Sequence, residues 1–118
     1  MRRIAWGVSI LAVLLGVGHM SLFAAAVIGG RWSLDALWFA GTGLAIIFGG
    51  LLNVAALRAN GDRVALGAAI AGDIALVGFF AAAWSVLQGP QIVAGGLLFT
   101  ALTLILMAVT VAVTPKVS

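Results

Sequence analysis

The sequence predicts an all-α integral membrane protein: a four-helix bundle in antiparallel up-down-up-down order. Three observations carry this. The 118 residues are 64% hydrophobic and only 8% charged, whereas a soluble domain averages roughly a quarter charged residues. The apolar residues fall into four runs, 4–28, 34–57, 64–87 and 91–114. Each run has about 24 residues, and about 20 helical residues cross a hydrocarbon core of roughly 30 Å. The polar breaks between runs are about three to six residues, long enough only to reverse direction. Backbone groups in lipid must be satisfied internally, so spans of this kind are helices. Membrane strands would need a period of two and about ten residues each, and neither is present. The whole chain, 1–118, therefore reads as a single transmembrane domain.

The first run follows Arg2 and Arg3 and ends at Gly29-Gly30, a pair suited to a left-handed helix stop. A signal peptide competes for this segment, because Ala24-Ala25-Ala26 resembles a small-residue cleavage site. Its apolar stretch of about 20 residues exceeds the usual 7–15 of a signal, so the segment is kept as a helix. Ser33 is placed to cap the second run, with Asp35 in its first turn. Asn60-Gly61 is a turn pair and Asp62 is a natural cap for the third run. Gly89-Pro90 divides the third run from the fourth, with Pro90 near the first helical position, where a missing N–H costs nothing. Pro115 stops the fourth.

Orientation follows from the basic residues. Arg2, Arg3, Arg58, Arg63 and Lys116 fall on one side and Arg31 on the other, so the positive-inside rule expects both termini in the cytoplasm. Trp32, Trp38 and Trp84 then lie near the outer face and Trp6 near the inner one, where amphipathic rings favour the interface. The alanine- and glycine-rich, cysteine-free composition suggests a bacterial inner membrane. The surface pair Arg31 and Asp35 is explained by ion pairing and helix-start charge.

Composition also excludes whole classes of function. Disorder requires low hydrophobicity, and mean hydropathy is +1.29. The absence of cysteine removes disulfides, thiolate metal sites and cysteine nucleophiles. The net charge of +3 comes from six basic and three acidic residues, too few cations for a nucleic-acid surface. There is no Walker loop and no dinucleotide fingerprint after a strand. A bis-histidine haem would need more than the one histidine present. No cofactor and no metal are expected, and the partner that composition does imply is the lipid bilayer.

Polar residues at membrane depth carry the remaining information. Counting 1.5 Å per residue from the cytoplasmic ends puts Asp73 about 13 Å deep and Asn53 about 6 Å deep. His19, Thr42 and Thr100 all come out at about 21–23 Å. Two levels result: His19, Thr42 and Thr100 in the outer half, and Asp73 with Asn53 and Thr103 in the inner half. An aspartate near a helix centre costs about 2.5–3.5 kcal/mol on insertion scales, so Asp73 should face the bundle interior. It would serve as a proton-coupling carboxylate, as a counter-ion for a cationic ligand, or as a bond to Asn53 or a threonine that holds two helices together. His19 reads either as a proton relay or as a neutral ring bonded to Thr42 or Thr100.

Helix faces show two further patterns. Gly96, Thr100, Thr103, Met107, Thr110 and Thr114 follow spacings of one helix face. Such a face lines a polar path, or its hydroxyls bond back to their own helix. Gly41, Ala45 and Gly49 form a small-residue stripe that continues to Asn53, with the same spacing at Ala12–Gly16 and at Ala68–Gly72. These are packing signals, within one chain or between chains.

In size and helix count the chain resembles the small multidrug exporters, which work as dimers of four-helix chains. That family's first helix carries an embedded glutamate that exchanges protons for cationic substrate. Here the first helix has no acid and the acid at membrane depth, Asp73, is on the third, so the likeness is architectural. The stretches Gly16-Val17-Gly18-His19 and Leu37-Trp38-Phe39-Ala40-Gly41-Thr42-Gly43 resemble segments of uncharacterised small bacterial four-helix integral membrane proteins.

Three functional expectations follow. The first is a protein that acts by helix association, as accessory subunit of a larger membrane complex or as homo-oligomer, or that binds a lipophilic ligand. The second is a small proton-coupled transporter using Asp73 and His19. The third, and the least favoured by geometry, is an intramembrane enzyme with His19 as base and Asp73 as acid. Acid–base work needs both within about 3 Å of the reacting atoms, and the two lie about 9 Å apart in depth.

Overall fold

A computed structural model of the chain describes residues 1–113. They form α1 (Arg2–Ile28), α2 (Leu34–Arg58), α3 (Arg63–Trp84) and α4 (Pro90–Val113), with no strand among the described residues. All four helices are long and apolar enough to cross a membrane. Thr114, Pro115 and Lys116, expected to close the fourth helix and to add positive charge, lie outside the described residues.

Helix ends follow their local chemistry. Gly30 takes φ +73°, its N–H bonding Val27 O at 3.0 Å while the Arg31 N–H bonds Ala26 O at 2.9 Å. This pattern satisfies the orphan carbonyls at the end of α1 and needs a left-handed residue. Ser33 caps α2 by accepting from the Ala36 N–H at 3.1 Å. Asp62 caps α3 twice, from the N–H groups of Val64 at 2.7 Å and Ala65 at 3.1 Å. Replacing such a cap by alanine typically costs about 1 kcal/mol. Asp62→Ala is accordingly expected to lower unfolding stability by that amount, read by denaturant titration of the helical circular-dichroism signal in micelles.

The end of α3 differs from the sequence expectation. The helix stops at Trp84 rather than at 87. The Val86 and Leu87 N–H groups both turn back to Ala83 O, and the Ser85 hydroxyl bonds Ala82 O at 2.7 Å. These bonds satisfy the last carbonyls of α3 in a closing turn ahead of the Gly89-Pro90 break. Hydropathy carried the run onward because Val86 and Leu87 are as apolar as the helix itself.

Packing rests on glycine. A Cβ at Gly16 would lie 2.9 Å from Ile47 N and 3.1 Å from Gly43 O, and one at Gly50 would lie 2.9 Å from Val13 N and 3.0 Å from Ser9 O. Helices α1 and α2 therefore meet backbone to backbone. Gly49 seats the Phe99 ring and the Leu76 side chain, joining α2 to α4 and α3. Gly95 receives the ring of Phe80, which stacks on Phe99 at 6.2 Å. Close approach of this kind brings backbone and side chains of neighbouring apolar helices into van der Waals contact. At one end, the Arg2 guanidinium donates to the carbonyl of Leu57 in the last turn of α2, and to Asn60 Oδ1 at 3.2 Å.

The interior consists of two apolar clusters. One holds Ala5, Ala56, Leu57, Leu66, Ala69, Leu106 and Val109. The other holds Ala12, Ile46, Phe80, Phe99 and Leu102. Every helix contributes to both.

Candidate functional site

Between the two clusters each helix supplies one buried polar side chain: Ser9 from α1, Asn53 from α2, Asp73 from α3 and Thr103 from α4. The first three are 0% exposed and Thr103 is 8% exposed. The packing explains how they share a level. Ser9 backs onto Gly50, three residues before Asn53, while Gly49 and Phe99 touch one turn before Asn53 and Thr103 respectively.

Asn53 is the hub. Its Nδ2 donates to Asp73 Oδ1 at 2.7 Å and to Gly49 O at 2.8 Å. Both amide hydrogens thus have acceptors, which fixes the orientation of the side chain. Among the described residues, Asn53 Oδ1 and Asp73 Oδ2 have no hydrogen-bond partner. The Ser9 hydroxyl donates to Ala5 O at 2.7 Å and the Thr103 hydroxyl to Phe99 O at 2.8 Å. Their protons are committed to their own helices and their lone pairs are not.

The outer-level residues do not join this group. His19 stacks on Phe39 with ring centroids 3.5 Å apart and 18° between planes, and its ring edge borders Gly43. Its Nε2 has no hydrogen-bond partner among the described residues. Thr42 bonds Trp38 O at 3.0 Å and Thr100 bonds Gly96 O at 2.7 Å, so neither hydroxyl donates to the imidazole. His19 contacts α2 at Gly43 and Asp73 contacts it at Asn53, ten residues on, a separation of about 15 Å along the helix. That distance removes a concerted acid–base pair.

The threonine face of α4 divides in two. Thr100 and Met107 point outward, Thr103 is buried and Thr110 is half-buried. Thr100, Thr103 and Thr110 all bond the carbonyl four residues back, the local satisfaction expected of hydroxyls in apolar helices. Thr114, the last member of that face, lies outside the described residues. The small-residue stripe of α2 divides as well. Gly49 is buried in the core and Ala45 is half-buried, but Gly41 faces outward with nothing within 4 Å. Gly72 meets only Leu52, at 3.2 Å. The backbone contacts of α2 with α1 fall instead at Gly43, whose carbonyl faces Gly16, and at Gly50, which faces Val13 N and Ser9 O.

Ser9 was not legible as a site residue. The signal lay in the Ala12–Gly16 spacing, which runs back through Ser9 to Ala5, and all four are buried.

Two apolar clusters separated by a buried polar layer define a class: an all-α protein of four helices with a polar layer in its interior. No protein-family model, curated protein or solved structure matches the chain.

Proposed function

We propose that the protein is an integral membrane protein of four spans in up-down-up-down order that acts by helix association, as a homo-oligomer or as accessory subunit of a larger membrane complex. The four apolar helices support insertion. The grouping of Arg2, Arg3, Arg58 and Arg63 at one end supports cytoplasmic termini under the positive-inside rule, and a bacterial inner membrane fits the composition.

The observation that carries the association reading is the outward face of α3. Gly67 and Gly78 are exposed, about three turns apart on one side, and a Cβ at either meets nothing within 4 Å. Ala71 lies exposed between them. Glycine in a helix costs about 1 kcal/mol relative to alanine, and inside this chain the close-packed glycines have a neighbour that uses the space. An outward glycine face gains the same use when a second helix approaches.

Native mass spectrometry of protein gently extracted from its own membrane tests this. A homo-oligomer or a fixed-stoichiometry complex is expected. Gly67→Leu combined with Gly78→Leu is expected to reduce the assembled fraction at least about tenfold, roughly the loss of 1.4 kcal/mol, with an unchanged unfolding midpoint of the single chain. A wild-type protein that runs only as a monomer, free of partners, overturns the reading.

A further inference from the structure

The connection between α1 and α2 holds two charges of opposite sign that do not meet. Arg31, within the connection, and Asp35, in the first turn of α2, form no ion pair with each other or with any described residue. Arg31 precedes the helix, so the four-residue spacing that sets side chains side by side does not act on it. Its side chain lies back toward the end of α1, with Nε 3.6 Å from the point where a Cβ on Gly29 would stand. Both residues instead line one open cavity of about 440 Å³ between the last turns of α1 and the first turns of α2. Ser33 shares this cavity. Its Oγ accepts from the Ala36 N–H at 3.1 Å, and its own proton has no acceptor among the described residues. The rest of the wall is apolar, formed chiefly by Leu22, Phe23 and Phe39. The Phe23 ring meets that of exposed Trp32, 6.1 Å between centroids, and tryptophan favours the depth of lipid head groups.

We propose that this cavity binds one zwitterionic phospholipid whose head carries a phosphate and a primary ammonium. The phosphate takes the Arg31 guanidinium and the Ser33 hydroxyl, and the ammonium takes the Asp35 carboxylate. The glycerol and first methylenes lie along Leu22, Phe23 and Phe39. Charge complementarity selects this occupant. A purely anionic head would face Asp35 and a purely cationic ligand would face Arg31, whereas a head of both signs satisfies both. The apolar wall selects an amphiphile. A hydrocarbon part continuous with the head covers that wall, which a water-soluble zwitterion would leave bare. Such a site rests on the four-span membrane reading and is independent of association with other chains.

The test is native mass spectrometry of the purified full chain in micelles. Dimyristoyl phosphatidylethanolamine and dimyristoyl phosphatidylglycerol, which share tails and phosphate, are offered in equal amounts. The ethanolamine lipid is expected to be retained at least about threefold over the glycerol lipid, the scale of one partly solvated ion pair. Asp35→Asn is expected to remove that preference, and Arg31→Gln to lower retention of both lipids. Both side chains are exposed, so neither change reaches the core. Water-soluble glycerophosphoethanolamine, with the same head and no tails, is expected not to displace the bound lipid at equal concentration. Equal retention of the two lipids by the wild type, an undiminished preference in Asp35→Asn, or displacement by the soluble head overturns the inference. An alkaline carbonate wash of the source membranes separates this from failure of the four-span reading. A chain that stays with the membrane and shows no lipid preference defeats the lipid site alone, whereas a chain released by the wash defeats both.

Discussion

Asn53→Leu is expected to be among the most damaging single changes in the chain, lowering unfolding stability by about 3 kcal/mol. The loss has two parts. The bond from Asn53 Nδ2 to Asp73 Oδ1 at 2.7 Å disappears, and Asp73, fully buried, keeps no partner for either oxygen among the described residues. Leaving one member of a buried polar pair alone costs more than the pair contributes, because the survivor has been removed from solvent without compensation. The diagnostic comparison is the double variant Asn53→Leu, Asp73→Leu. Leucine matches both side chains in approximate size, and replacing a buried polar pair by apolar groups is often neutral or stabilising. Denaturant titration in micelles should show the double variant regaining most of what Asn53→Leu lost. If the two losses simply add, the residues do not act as a pair.

The second large effect is expected at Gly50. A methyl group there would stand 2.9 Å from Val13 N and 3.0 Å from Ser9 O. Both are backbone atoms, so no side chain can swing aside and α1 must move away from α2. Overpacking of a tight core costs about 1–3 kcal/mol, occasionally more, and Gly50→Val should sit at or above the upper end. Gly41→Val on the same helix serves as control, since a Cβ there meets no other helix within 4 Å among the described residues, and should change stability by less than about 0.5 kcal/mol. Equal effects at Gly41 and Gly50 would contradict the packing described for α1 and α2.

These two glycines also show where the sequence stops being informative. Helix number, type and most boundaries are legible because they depend on run length, hydropathy and local capping, and Gly30, Ser33 and Asp62 behave as their chemistry dictates. Which face of each helix turns inward is harder. In an amphipathic helix the polar side marks the outside, but here the exposed faces are as apolar as the core and that contrast vanishes. Gly41-Ala45-Gly49 and Gly43–Gly50 are equally good small-residue patterns on α2, and only tertiary contact separates them. The same ambiguity separates outward Thr100 from buried Thr103. Asn53 and Asp73 were legible as a group because burying them elsewhere would be costly. Ser9 was not, since a serine that bonds its own backbone gives no such penalty.

The bond between Asn53 and Asp73 spans 20 residues of sequence, and that spacing has a consequence for biosynthesis. Arg2 meets Leu57 and Asn60, and the glycine contacts of α1 lie with α2, so the first two helices can assemble once residue 60 has left the ribosome. At about 5–20 residues per second, Asp73 follows Asn53 from the ribosome by about one to four seconds. During that interval the nascent hairpin carries an amide whose tertiary acceptor has not yet emerged. A machine that holds the hairpin until the third helix arrives would shield this amide from lipid. Slowing translation between residues 53 and 73 would lengthen its exposure without altering the finished protein.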